Sequence, residues 1–239
     1  MNFYDNFHHG IKIQKKVIPS NNFTYRHTIA TLAPLISGNK KTILDYGCGV
    51  GTIDFYLASK GCSVLGVEMS KKAIDACNAS SEAIGVSTLA KFDSINKKIS
   101  RTFDIVICSE VIEHVPKDMN LLIKLSKNLK KGGDLVVTTP SVNSPLYRLG
   151  LANEFDKRVG HLRRYNSEDL ANQIKSIGFK INNQKKEEGI LRNSLFLFPF
   201  LGWIIRFLKG PLSDIVTFID DLLVVIFGES DIVIVAQKI

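Results

Sequence analysis

Residues 42–51 read TILDYGCGVG: a short apolar run closed by an acid and an aromatic, passing directly into glycines at 47, 49 and 51. Few folds use such a segment. The apolar run is short enough for a buried strand and too short for a buried helix. Gly47 and Gly49 let the backbone turn tightly and approach a ligand with no Cβ in the way. A helix over Gly51 to Lys60, stopped by Gly61, would aim free N–H groups and a positive dipole end at that ligand. In an open α/β sheet this strand–loop–helix unit lies at the carboxyl edge of the strands, where ligands bind.

The remaining pattern repeats the alternation. Ser63 to Glu68 is an apolar strand ending in an acid. Ser70 caps a helix reaching about Ile84, with Gly85 as its stop. Val86 to Phe92 is a weaker strand, Phe103 to Cys108 a strong one. A helix follows from Asp118, with Leu122, Ile123, Leu125, Ser126 and Leu129 expected inward, broken by Gly132-Gly133. Asp134 to Thr139 is again a strand, closed by Pro140. Ser141 to Tyr165 reads as irregular, Ser167 to Ile177 as a helix capped by Ser167, and Phe179 to Asn183 and Asp231 to Ala236 as strands. Before the glycine loop, Thr24 to Ile36 has a helical pattern. Strands alternating with helices predict a parallel sheet covered on both faces.

Bulk properties exclude little beyond disorder. The 239 residues suffice for one sizeable core, with 45% apolar and 23% charged residues. The net charge of +8 is compatible with nucleic acid, an anionic surface or acidic substrates. Much of the positive charge sits in scattered pairs, from Lys15-Lys16 to Lys185-Lys186, which reads as a solvated surface. Cys48, Cys62, Cys77 and Cys108 have no metal-ligand spacing and fit a reduced, cytoplasmic compartment. Met1 to Gly10 carries no apolar core of a secretory signal.

A glycine loop alone also serves NAD and FAD proteins. Here the third glycine comes one residue early for a dinucleotide fingerprint. Asp45 would repel a pyrophosphate but suits a cationic ligand carrying an ammonium and a sulfonium. Glu68, ending the next strand, can accept both hydroxyls of a ribose. Met69 can pack on an adenine face, and Asp93 can accept from the adenine amino group. Cys48 sits between the glycines, with a space-filling side chain its plainer reading; for Gly51, helix–strand packing is an even alternative.

LDYGCGVG, GVEMS, FD, FDIVICSEVIEHV and LKKGGDLVVTTP, in that order, resemble the motifs of class I S-adenosylmethionine-dependent methyltransferases. The similarity covers residues 41–140 and resumes over 160–179. It implies a Rossmann-like three-layer α/β sandwich whose seven-stranded, mostly parallel sheet ends in an antiparallel last strand, Asp231 to Ala236. Residues 1–239 would form a single domain, with 1–40 as an N-terminal cap and 191–227 as an apolar insertion before that strand. It also implies S-adenosylmethionine as cofactor, with Asp45, Gly47, Gly49, Glu68, Met69, Asp93 and Ser109 lining its pocket.

The segment Ser109 to Val115 (SEVIEHV) resembles the SEVxEHV motif of the quinone-biosynthesis O-methyltransferases, where the two acids and the histidine are associated with a divalent metal. As a helical turn it would put Glu110, Glu113 and His114 on one side. Three roles stay open for the group: structure, with His114 bonding the backbone of a neighbouring loop; His114 as general base; or metal ligation, which is not assigned.

Lys157, Arg158, His161, Arg163 and Arg164 crowd into eight residues. His161, Arg163 and Arg164 are expected to face the substrate, with one arginine meeting an anionic group on it; pairing with Glu168 or Asp169 is the plainer alternative. Leu195 to Leu208 (LFLFPFLGWIIRFL) is interrupted by Pro199 and Gly202 and too short to span a bilayer. A lid, a dimer face and a peripheral membrane contact remain open for the insertion.

The expected function is therefore methylation, of oxygen, on a small or lipid-linked acceptor by a cytoplasmic and optionally membrane-associated enzyme. Nucleic-acid or N-directed methylation and non-catalytic cofactor binding are the alternatives. No nucleic-acid partner is expected, and the oligomeric state is left open.

Overall fold

The apolar runs form a seven-stranded sheet in the order β3-β2-β1-β4-β5-β7-β6. The strands are β1 Thr42–Tyr46, β2 Ser63–Glu68, β3 Ala90–Ser94, β4 Phe103–Ser109, β5 Leu129–Pro140, β6 Phe179–Glu187 and β7 Asp231–Lys238. The computed structural model describes residues 11–38, 40–198 and 200–239. Residues 1–10 of the expected cap, with the leader reading placed there, and Pro199 of the insertion lie outside the described residues. β1 pairs in parallel with β2 and β4, β2 with β3 and β4 with β5, while β7 runs antiparallel to both β5 and β6. The chain travels outward from β1 to β3 and then returns to β4 on the other side of β1, so the carboxyl ends of β1 and β4 flank a switch point where a crevice must open.

Period-two alternation builds the two faces. Leu44, Val106, Leu135, Val137, Ile232 and Ile234 point to one side, under helices α4 (Asp118–Lys127) and α7 (Ser167–Ser176). Ile43, Ile105, Ile107, Val136, Val233 and Val235 point to the other, under α1 (Arg26–Leu32) and α2 (Thr52–Ser59), with α3 (Lys71–Ile84) beside them. These two apolar cores, one on each face of the sheet, give the three layers. The cap of α3 is the expected Ser70, whose side chain accepts from Ala73 N. α7 is capped one residue earlier than its sequence pattern predicts: Asn166 Oδ1 accepts from Glu168 N and Asp169 N, a contribution of about 1 kcal/mol.

Several boundaries differ from the pattern. β5 begins at Leu129 rather than Asp134, because Phe103 already pairs with Leu129 before a register shift absorbs the glycine pair. β3 covers 90–94 instead of 86–92, and the first helix is shorter than its expected span from Thr24 to Ile36. The irregular stretch after β5 contains two short helices, α5 (Pro145–Arg148) and α6 (Asn153–Val159). β6 extends to Glu187, held by β7 to its end.

The insertion folds into α8 (Ile190–Leu197), a 3-10 turn over Ile204–Phe207 and α9 (Pro211–Phe227). α9 faces the protein with its polar side. Its buried residues are Ser213, Thr217 and Asp220. Arg26 of α1 donates to Ser213 O, Ser213 Oγ and Thr217 Oγ1 and pairs with Asp214. Asp220 accepts from Gly189 N at 2.7 Å, Leu191 N at 2.9 Å and Arg192 N at 3.0 Å, so a side chain of α9 supplies the cap of α8. Turning those groups inward leaves Ile215, Phe218 and Val225 outward at 56%, 65% and 85% exposure. No helix among the described residues is long and apolar enough to cross a membrane.

Candidate functional site

A cavity of about 770 Å³ opens at the carboxyl edge of the sheet. The glycine loop forms one end of it. Gly47 N and Cys48 N donate to Val67 O at 2.8 and 3.2 Å, which folds the loop back over β2. Gly47 has φ +86 and a Cβ there would overlap Val111 Cγ2; Gly49 has φ +55 and faces open space. At Gly51, φ +74, a Cβ would come within 3.0 Å of Cys77, Phe55 and Phe92, so its lack of a side chain serves helix–sheet packing.

Asp45, Gly47, Cys48, Gly49, Glu68 and Met69 all line this end. Glu68 is largely spoken for by backbone: Oε1 accepts from Met69 N at 2.7 Å and Ser70 N at 3.0 Å, and Oε2 from Gly49 N at 3.1 Å. It thus ties the end of β2 to the loop as well as facing the cavity. Burial pushes the Asp45 carboxyl up to about 7, the Glu68 charge adds to this, and a hydrogen bond with the Asp54 side chain opposes it. Asp93 is outside the cavity wall. It pairs with Lys97 at 2.8 Å on the surface, and that bond holds its carboxyl below the usual range; Ile95, just beyond β3, lines the cavity instead.

The other end is built on the turn after β4. That turn is not the helical one expected. Ser109 ends the strand, Glu110 takes φ +53, and a 3-10 turn covers Ile112–His114. A left-handed glutamate is strained by about 1 kcal/mol. Two contacts hold it: Glu110 N donates to Thr138 O at 3.1 Å and Thr138 Oγ1 donates to Glu110 Oε1 at 2.8 Å. Because Thr138 spends its one proton on Glu110, the 2.8 Å contact between Ser109 Oγ and Thr138 Oγ1 has Ser109 as donor.

The consequence is that Glu110 parts from Glu113 and His114. Glu113 joins His114 and His161, and one ligand atom from each lies within 4.8 Å of the other two. Glu113 is fully buried; Thr139 donates to its Oε2 at 3.0 Å, and Oε1 has no hydrogen-bond partner. Burial and then the Glu110 charge push its carboxyl well above the ordinary range. His114 Nδ1 donates to Gly160 O at 3.1 Å, and His161 Nδ1 contacts Asp156 Oδ1 at 3.0 Å. Both rings therefore turn Nε2 toward Glu113, at 3.7 and 3.9 Å. Burial lowers the His114 value below that of free imidazole.

The two arginines part as well. Arg164 lines the cavity, but Asp156 grips it through two bonds of 2.8 and 2.7 Å, and its guanidinium stacks 4.8 Å over Tyr147. Arg163 is outside the cavity wall, paired with Asp118 at 2.7 Å and donating to Pro116 O. Neither pairs with Glu168 or Asp169, whose backbone N–H groups are taken by the Asn166 cap. The cavity wall instead carries Glu188 and Asp231, which the motif reading missed. A topological signal was present: an antiparallel β7 must begin where the parallel strands end, so Asp231 and the residue after β6, Glu188, arrive at the same edge. Asn193 and Phe196 of α8 close that side, and Tyr25 and Thr28 reach it from the N-terminal segment.

Comparison with known proteins bears on this geometry. The family model of a methyltransferase domain matches residues 21–184. A ubiquinone biosynthesis O-methyltransferase of Coxiella burnetii is 33% identical over 109 residues, 45% of this chain and 47% of that protein. The chain thus spans about half the length of this curated relative. Magnesium protoporphyrin IX methyltransferase from Synechocystis PCC 6803, solved with bound SAH, superposes with a TM-score of 0.62 at 15% identity, covering 92% of this chain and 84% of that one. Geranyl diphosphate methyltransferase, solved with GPP and sinefungin, superposes at 0.63 with 14% identity, covering 90% and 78%. The two solved structures share the fold.

Proposed function

The chain belongs to the methyltransferase-domain family, and on that premise we propose that it transfers a methyl group from S-adenosylmethionine to a hydroxyl of a small or lipid-linked acceptor. The observation that carries this reading is the two-ended cavity: a glycine loop with Asp45 and Glu68 at one end, and His114 with a bare Nε2 at the other.

The residues present fit the cofactor. The loop leaves open space above Gly49, where a nucleoside can approach backbone. Asp45 lies at the floor for a cationic amino-acid end, Glu68 accepts from ribose hydroxyls through its less occupied Oε2, and Met69 and Ile95 offer apolar surface to an adenine. When bound, the cofactor supplies a methyl group already activated by its sulfonium. The chain then has two tasks, to align an acceptor and to remove its proton. His114 suits the second task. Its Nδ1–H is committed to Gly160 O, so the tautomer leaves Nε2 as the proton acceptor, and burial keeps the ring neutral. Glu113 faces both Nε2 atoms at 3.7 and 3.9 Å and would orient the rings rather than supply charge, because burial favours its protonated form. Glu110 and Ser109 act through Thr138, holding the turn that aims His114.

A lipid-linked acceptor is supported by the apolar wall at Phe155, Val159 and Phe196 and by the outward apolar face of α9, beside the exposed Arg206 and Lys209. Work at a membrane surface from a reducing compartment is in keeping with four free cysteines. Similarity to an O-methyltransferase of ubiquinone biosynthesis supports a hydroxyl as acceptor. One observation favours a second reading: Glu110, Glu188 and Asp231 converge on the acceptor end, and such a lining suits an amine.

The test is twofold. Binding of S-adenosylhomocysteine to the full chain is measured first. Labelled S-adenosylmethionine is then offered with catechols bearing or lacking a polyisoprenyl tail, and with aromatic amines of equal size. Label entering the tailed catechol supports the proposal. Label in the amine alone overturns the hydroxyl reading, and absence of cofactor binding overturns both.

A further inference from the structure

Asp54 is an unusual residue to find where it lies. It occupies the first turn of α2, directly behind the glycine loop, with 0% exposure. Neither of its carboxylate oxygens is satisfied by a neighbouring backbone group or by a hydroxyl, amide or cationic side chain; the groups that act on it by hydrogen bonding are its own N–H and the Asp45 carboxyl. A buried, unpaired carboxylate costs several kcal/mol, and a protein avoids that cost by keeping the group protonated. The proton needs an acceptor, and the side chain that faces it is Asp45, whose carboxyl lines the cavity and receives no donor from the surrounding backbone.

The side chains facing the pair favour protonation, opposed only by the Asp54 backbone N–H and by the bond between the two acids. Glu68 on β2 faces Asp45, Cys77 on α3 faces Asp54, and Cys48 of the loop faces both; no cation faces either acid. Burial, then Asp45, then Cys77 hold the Asp54 carboxyl well above its ordinary value. Cys77 is itself turned away, donating to Gly49 O at 3.4 Å.

We propose that Asp54 is a positioning residue for the cofactor's ammonium: it donates a hydrogen bond to Asp45, turns the free Asp45 oxygen into the cavity, and lets the pair exchange its second proton for the ligand's positive charge. The proposal rests on the cofactor assignment made above. Its chemistry is a linkage. Without ligand, the pair holds between one and two protons at neutral pH. A cation at Asp45 needs it ionised, so the second proton leaves to solvent while the first stays on Asp54. No bond other than O–H is broken.

The experiment is calorimetric titration of the full chain with S-adenosylhomocysteine between about pH 5.5 and 8, where the ligand's ammonium keeps its charge, in buffers of low and high ionisation enthalpy. Wild type should release up to one proton per ligand at the acid end and less toward pH 8. Its Kd should tighten by up to about tenfold per pH unit below 7 and level off above. Asp54→Asn keeps a donor and should keep this profile. Asp54→Leu removes the donor, and should weaken Kd at pH 8 by roughly tenfold and move the profile to higher pH. Wild-type binding with no proton release and no pH dependence overturns the proposal while leaving the cofactor intact. So does an Asp54→Leu chain that binds as wild type does. If that variant does not fold, wild-type proton release and the Asp54→Asn profile still decide. No binding at any pH removes the cofactor reading and this proposal with it.

Discussion

His114 and the backbone of Gly160 are joined by a 3.1 Å bond from Nδ1 to the carbonyl oxygen. Gly160 is the left-handed cap of α6, so the bond ties the turn after β4 to the segment that follows β5. It makes the structural and the chemical readings of His114 one and the same. A histidine fixed through Nδ1 has only one nitrogen left, and its orientation toward the cavity is decided by the contact that holds the loop.

Replacing His114 by alanine is accordingly expected to lower kcat by about 10²–10⁴-fold, with little change in cofactor binding. The pH profile gives the sign. A base must be unprotonated, and the folded His114 value lies below 6.5. The acid limb of kcat should therefore fall below pH 6.5, and activity should stay level from there to pH 8. The same depressed value means that stability due to His114 is present above 6.5 and is lost as pH falls through the folded value. The trio Glu113, His114 and His161 also fits a divalent cation. Turnover that survives a strong chelator assigns the effect to proton transfer, and turnover that collapses and returns with a divalent metal assigns it to ligation.

Gly47 and Gly49 should respond differently to alanine. Both have positive φ, which costs about 1–2 kcal/mol for an L-residue. Only Gly47 also meets a neighbour, Val111 on the turn that carries His114. Gly47→Ala should lower Tm more than Gly49→Ala and should reduce kcat, because pushing Val111 moves the turn that carries His114. Gly49→Ala should act chiefly on the affinity for S-adenosylhomocysteine. Thermal melts and calorimetry on the two variants check this.

The arginine pair offers a contrast in burial. Arg164 has 4% side-chain exposure and Asp156 14%, so Arg164→Ala strands a largely buried carboxylate and should cost about 3–5 kcal/mol in denaturant unfolding. Arg163 and Asp118 are more open, and Arg163→Ala should cost about 1 kcal/mol or less. The KM of the acceptor should not move with Arg163. A several-fold rise in KM would show that Arg163 reaches substrate after all.

What the sequence made legible follows the physics of each signal. The sheet core was readable because strands buried on both faces leave continuous apolar runs, as in FDIVIC over 103–108. The loop was readable because its glycines answer a local backbone demand. Asp45 and Glu68 were readable because they end strands whose carboxyl edge is known. The grouping of Glu113 with His161 was not, since 48 positions separate them and the gap is closed by tertiary contacts such as the 2.9 Å bond from Leu162 N to Glu113 O and the bond from His114 Nδ1 to Gly160 O. Glu110 was misgrouped because helical spacing was assumed across a residue that takes φ +53. The polarity of α9 was misleading for a similar reason. An apolar stretch is expected to face inward, yet here the inward partners are Arg26 and the N-terminal amides of α8, which only polar side chains can satisfy.

That inverted helix carries the last prediction. The outward stripe of α9 runs from Leu212 through Ile215, Phe218, Ile219 and Leu222 to Val225, and Trp203 and Phe207, in the segment before the helix, are exposed as well. Apolar area of this extent on a free surface marks an interaction site. Arg206 and Lys209, exposed at the start of the helix, would be repelled by a second copy aligned alongside and attracted by anionic headgroups. The full chain is expected to sediment with vesicles of phosphatidylethanolamine and phosphatidylglycerol, less so in high salt. Ile215→Glu with Phe218→Glu should abolish the binding with under about 0.5 kcal/mol change in stability, because neither side chain supports the core. Arg206→Glu should weaken it and flatten its salt dependence. If the double variant instead halves the solution mass and leaves sedimentation unchanged, the stripe is a contact between copies of the chain and not a lipid-facing surface.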